Sequence, residues 1–148
     1  MAYYKDLSAC DYFGTAKPSL VAIGWLDREH AYAVGEISKG TFDLLFRLLR
    51  TPWQSRVFVG RHRCNFCLFS GGPVSFQLGD MDVDMGVSNA FIPTNELVYV
   101  APSLILHYID SHQYCPPDEF LAAVEACPPM GSREYVSKLV GHGISAAP

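Results

Sequence analysis

NAFIPTNELVYVAPSLILHYIDSH, residues 89–112, is the stretch whose reading decides the fold. Its first half holds two apolar pieces rich in β-branched and aromatic residues around Pro93, Thr94 and Asn95, residue types that make turns, so a β-hairpin is expected. Its second half changes period. Leu104, Ile105, Tyr108 and Ile109 fall on one stripe of a helix with His107 beside it, and Pro102 suits that helix's first turn.

On the N-terminal side, GDMDVDMG (79–86) places Asp80, Asp82 and Asp84 at every second residue. An EF-hand would need glycine and glutamate where Met85 and Phe91 stand, so the alternation is read as a half-buried strand with three carboxylates on its wet face. Before it, CLFSGGPVSFQL is expected to form a strand, a Gly71-Gly72-Pro73 turn, and a second strand from about Val74 to Leu78. Further upstream, LVAIGWL (20–26) and AYAVGEI (31–37) flank a short polar segment and predict another hairpin. TFDLLFRLLR then sets Phe42, Leu45, Phe46 and Leu49 on a helical stripe, with Thr41 as the candidate N-cap and Pro52 as the stop. Trp53 leads to RVFVG (56–60), a short strand.

Beyond residue 112 the chain turns helical. PPDEFLAAVEAC carries acidic residues in its first turn, Pro128-Pro129 breaks it, and SREYVSKLV follows with Ser132 as cap. Residues 141–148 are expected to fray, and residues 1–18 to form an N-terminal segment. The predicted architecture is one α+β domain over residues 1–148. It has a mainly antiparallel sheet covered on one side by a cluster of C-terminal helices, and one helix between the early strands.

Composition narrows the function. Of 148 residues, 49% are hydrophobic and 18% charged, which excludes a disordered chain. The net charge of -4 gives no general attraction for phosphate backbones, so nucleic acid is not an expected partner. No apolar run approaches the roughly 20 residues a membrane span needs, and the opening MAYYKDLSACDYFG lacks the apolar core of a secretory signal. A cytoplasmic protein with no membrane partner is therefore expected. Five cysteines, at 10, 64, 67, 115 and 127, do not pair evenly into a disulfide framework.

The chemistry is concentrated in GRHRCNFC, residues 60–67. A Cys-x-x-Cys pair brings two thiolates close enough to share a tetrahedral ion, and zinc suits a mixed set of sulfur and nitrogen donors. Cys64 and Cys67 are the first two candidate ligands. His62, His107, His112 and Cys115 are the candidates to complete the set. His107 and His112 are five residues apart, about 140° around a straight helix, so only one is expected to contribute unless the helix ends between them. A redox pair is the weaker alternative, because LFSGGP follows where a thioredoxin-type site has a helix. Two reduced cysteines packed as small hydrophobes are the plainest one, and for Cys10 and Cys127 that is the expectation. No signature surrounds either thiol with a base and an orienting carboxylate, and no phosphate-binding glycine loop is present, so no catalytic or cofactor-binding residue is assigned.

The segments GWLDREHAYAVGEI, TPWQSRVFVGRHRCNFC and FIPTNELVYVAPSLILHYIDSHQYCPPDEFLAAVEACPPM resemble a family of small uncharacterised bacterial proteins. That family carries Gly-x-His-x-Cys-x-x-Cys and Tyr-Val-Ala-Pro…His-Tyr-Ile…Pro-Pro-x-Glu-Phe motifs. The resemblance spans most of residues 20–135 and implies no activity. It singles out His62, Cys64, Cys67 and His107, while GDMDVDMG departs from it in length.

Two functional classes follow. One is a zinc-stabilised protein-interaction module of adaptor or immunity type, without catalysis, that docks a protein partner through Trp53, Tyr114 and Phe120. The other is a small zinc-dependent hydrolase, in which three protein donors leave a position open for water. Four protein ligands favour the first, and three favour the second.

Overall fold

A computed structural model describes residues 2–11, 19–53 and 61–144. The strand expected at 56–60 lies outside them. The chain is α+β, and the described residues form four helices and two small sheets.

The hairpin at the centre of residues 89–112 forms as its pattern predicts. Strands β4 (Asn89–Pro93) and β5 (Val98–Pro102) pair antiparallel, closed by a turn in which the Thr94 N–H donates to Leu97 O at 2.8 Å. All ten residues of the two strands are buried, so both faces of this sheet are covered, and its near-continuous apolar sequence follows from that. Alternate residues go to opposite sides. Ala90, Ile92, Tyr99 and Ala101 join one core, with Leu45, Phe46 and Leu49. Phe91, Val98 and Val100 join a second, with Trp25, Tyr135 and Leu139. The expectation of helices on a single side is therefore corrected. Helices α1 (Lys39–Arg50), α2 (Ile105–His112) and α3 (Asp118–Ala126) bury side chains in the first core, whereas α4 (Arg133–Gly141) buries Tyr135 and Leu139 in the second.

The hairpin expected from 20–26 and 31–37 does not form. Strand β1 (Leu20–Ala22) pairs parallel with β5, Val21 opposite Tyr99, and gives the three-stranded order β1-β5-β4. Residues 31–37 have strand-like alternation, but only Tyr32 packs against the core, while Val34 is 65% exposed and makes an isolated bridge to Tyr114. The segment instead runs across the end of α2, where the Gly35 N–H donates to Gln113 O and the Cys115 N–H to Ala33 O.

Strands β2 (Ser75–Leu78) and β3 (Met81–Asp84) make a separate hairpin, with Gly79 at positive φ in its two-residue turn. Val83 and Met85 are buried while Asp80, Asp82 and Asp84 are exposed, the half-buried alternation read from GDMDVDMG. Residues 67–70, expected to be a strand, are turns instead. Helix α1 starts earlier than expected: the N-cap is Ser38, whose side chain accepts from the Thr41 N–H, while Thr41 Oγ1 donates to Glu125 of α3 at 2.7 Å. Pro102 ends β5 rather than opening α2, consistent with its fixed φ and missing N–H. Ser132 caps α4 as expected. The tail expected to fray from residue 141 is packed as far as Ile144, which is buried against the second core, and His142 Nε2 lies 2.7 Å from Thr94 O.

Candidate metal centre

The segment from 61 to 72 is fastened at its N-terminal end. The His62 N–H donates to Gly86 O at 2.8 Å, and the Arg61 guanidinium to Val74 O and Met85 O. The loop then closes on itself. The Cys64 N–H donates to Gly71 O at 2.8 Å and the Gly71 N–H to Cys67 O at 2.9 Å. Within it the chain doubles back, and the backbone N–H groups of Phe66 and Cys67 aim at Cys64 Sγ. A turn that offers amide hydrogens to a sulfur stabilises it as thiolate, the form that binds metal.

Facing this loop is α2. Its last residue, His112, is followed by Gln113 in the left-handed conformation, which ends the helix. Both histidines point at the loop. His107 Nε2 lies 3.4 Å from Cys67 Sγ, His112 Nε2 lies 3.5 Å from Cys64 Sγ and 3.6 Å from Cys67 Sγ, and the two Nε2 atoms are 3.2 Å apart. All four donor atoms are within 4.8 Å of one another. For a tetrahedral ion with sulfur at about 2.3 Å and nitrogen at about 2.0–2.1 Å, neighbouring sulfur and nitrogen donors lie about 3.5 Å apart and two nitrogens about 3.3 Å. The four separations involving the histidines match those edges closely.

The expectation that the two histidines cannot face one point is thus corrected: both Nε2 atoms reach the sulfur pair. The helix does not end between them. An imidazole carries its Nε2 well away from the helix axis, and helical side chains lean toward the N-terminus, so the His112 ring tilts back toward His107. The two rings meet edge to face, with centroids 4.9 Å apart.

Aromatic side chains hold this arrangement. The Phe66 ring packs on His112 at 5.0 Å and on Tyr108 at 5.9 Å, and the Tyr32 hydroxyl donates to His112 O at 2.9 Å. Asn65 ties the loop to the preceding turn by donating to Asp27 Oδ2 and accepting from the Arg28 N–H. Burial pushes the Cys64 thiol up to about 11, against the pull of the Phe66 and Cys67 amides. Burial also lowers His107 and His112, keeping both imidazoles neutral with a lone pair free for a ligand bond. A divalent cation would offset the cost of ionising the buried thiols.

The remaining candidates lie elsewhere. His62, on the strand-like approach, is not part of the four-residue group, and burial lowers its pKa as well. Cys115 packs against Gly35 with its Sγ 3.7 Å from Pro116 O, Cys10 is in the second core, and Cys127 packs against both cores. Sequence reasoning missed the supporting ring of Tyr32, Phe66 and Tyr108. Their only signal is aromatic content near the motif.

The four donors fall inside a recognisable stretch of chain. Residues 2–125 match a family described as a domain of unknown function (DUF7919). The chain belongs to this family. DUF7919 carries no established activity, and the matched residues contain Cys64, Cys67, His107 and His112 together with their supporting aromatics. No curated protein and no solved structure matches the chain. Among the described residues no helix is long and apolar enough to cross a membrane.

Proposed function

We propose that this DUF7919 domain is a small bacterial protein-interaction module whose loop 61–72 is fixed to α2 by one structural zinc ion, and that it performs no catalysis. The observation that carries the reading is the donor set: two sulfurs and two Nε2 atoms from Cys64, Cys67, His107 and His112, at separations fitting one tetrahedral ion. Four protein donors fill a tetrahedral zinc, whereas a hydrolase keeps a position for water. Reduced thiols suit a cytoplasmic setting.

What the ion would present is apolar. Leu68, Phe69 and Val74, in and beside the loop, are 66%, 103% and 66% exposed. They take the place of the anchors expected from sequence, since Tyr114 and Phe120 are fully buried and Trp53 is half-buried against Phe91 and Tyr135. A protein partner would engage this tip, because exposed aromatic and aliphatic anchors are where interface energy concentrates.

The test is metal analysis of protein purified without added metal. Near-stoichiometric zinc is expected in the parent and in His62→Ala and Cys115→Ser, with loss in Cys64→Ser, His107→Ala and His112→Ala. Zinc retained in either of the last two, or lost in His62→Ala, refutes the ligand set.

A further inference from the structure

We infer that Cys64 and Cys67 form a peroxide-sensitive pair: oxidation to a disulfide by a hydroperoxide removes both sulfur donors from the ion and uncouples the loop from α2. The inference rests on the metal centre proposed above and concerns how that centre is released.

Three observations support it. The two sulfurs belong to one group of donor atoms within 4.8 Å of one another and sit in one tight turn, so bringing them to bonding distance needs side-chain rotation and little backbone movement. Their exposure differs: Cys64 is 1% exposed, while Cys67 is partly exposed, so a small oxidant reaches Cys67 first. The loop is also closed by its own backbone hydrogen bonds, Cys64 N–H to Gly71 O and Gly71 N–H to Cys67 O, which do not depend on the histidines. A disulfide therefore keeps the turn intact. What it removes is the link from the turn to His107 and His112.

The chemistry balances. The Cys67 thiolate attacks one oxygen of the hydroperoxide; an S–O bond forms, the O–O bond breaks, and the departing oxygen takes a proton and leaves as water or alcohol. The Cys64 thiolate then attacks the Cys67 sulfur of the resulting sulfenic acid; the S–S bond forms, the S–O bond breaks, and the hydroxide leaves as water after taking a second proton. Two thiolates lose two electrons to the peroxide. The ion keeps its charge, is left with two imidazoles, and passes to solvent, because two neutral nitrogen donors hold it far more weakly than the full set.

The other three cysteines are not so placed. Cys10, Cys115 and Cys127 lie outside the cluster, and no disulfide joins any of the five. A variant carrying Cys10→Ser, Cys115→Ser and Cys127→Ser therefore isolates the pair.

The experiment treats the full-length parent and this triple variant with millimolar hydrogen peroxide. Released zinc is followed with a chromophoric chelator, and the thiols by intact mass and peptide mapping. In both proteins one zinc is expected to be released for each loss of two hydrogens, with the bond mapped to Cys64–Cys67 and reversed by a dithiol plus zinc. Zinc retained with both thiols intact, or released only with oxygen added to the sulfurs, overturns the inference. If the untreated parent holds no zinc, the metal reading fails on its own. Formation or absence of the Cys64–Cys67 disulfide in that metal-free chain then decides the pairing separately.

Discussion

Gly72→Ala, compared with Gly79→Ala, probes the proposed metal centre without replacing a ligand. Both glycines have positive φ, +86° and +65°, so an added Cβ costs each roughly 1–2 kcal/mol of backbone strain. They differ in what the Cβ meets. At Gly72 it lies 3.0 Å from Cys64 Cβ and 3.6 Å from His107 Nε2, while at Gly79 nothing lies within 4 Å. Carbon atoms settle at about 3.5–4.0 Å, so Cys64 must retreat by about 0.5 Å. A metal site tolerates about 0.2 Å in its bond lengths. Overpacking of this kind costs about 1–2 kcal/mol beyond the backbone strain that the two variants share, so Gly72→Ala should weaken zinc binding about 5- to 30-fold, while Gly79→Ala stays near the parent value. Chelator competition measures the affinities. Thermal unfolding measures stability, and both variants should melt a few degrees lower, at about 2–4 °C per kcal/mol for a chain of this size. Excess chelator should shrink the deficit of Gly72→Ala and leave that of Gly79→Ala unchanged. Equal zinc affinity in the two variants would refute the placement of Gly72 against the ligands.

Other predictions follow from individual contacts. Gly86→Ala places a Cβ 2.0 Å from His62 O at a φ of +75°, and a loss on the order of 4 kcal/mol or more is expected by denaturant unfolding; a loss below about 1 kcal/mol would contradict the packing of the loop's entry on Gly86. Ser38→Ala removes the cap of α1 and should cost about 1 kcal/mol by the same assay. Burial pushes the Cys127 thiol up to about 11, so it should alkylate far more slowly at pH 8 in the folded protein than in the denaturant-unfolded chain; equal rates would contradict its burial. The stability from keeping that thiol neutral is full below the unfolded value near 9 and is lost as pH rises toward 11, so Cys127→Ala should flatten the alkaline fall in stability.

Much of the fold was legible because local chemistry and tertiary context agree. The β4–β5 hairpin has turn residues between apolar strands, β3 alternates cleanly, and α1, α3 and α4 show helical periodicity or end signals. What was not legible depends on distant pairing. Nothing local in LVA says that it lies parallel to VYV 78 residues later, and AYAVGEI has the composition of a strand but makes no more than an isolated bridge among the described residues. At the site, the Cys-x-x-Cys pair was readable from spacing. The convergence of His107 and His112 on that pair was not, because angular offset around a helix ignores side-chain reach and lean. The buried positions of Tyr114 and Phe120 were also hidden, since an aromatic residue suits a core and an interface alike.

X-ray absorption at the zinc edge tests the account's central claim most directly, because it reads donors rather than stoichiometry. Two sulfur scatterers at about 2.3 Å and two imidazole nitrogens at about 2.0–2.1 Å are predicted, with the same set in His62→Ala. A spectrum with no sulfur, or with a water oxygen completing three protein donors, would contradict it.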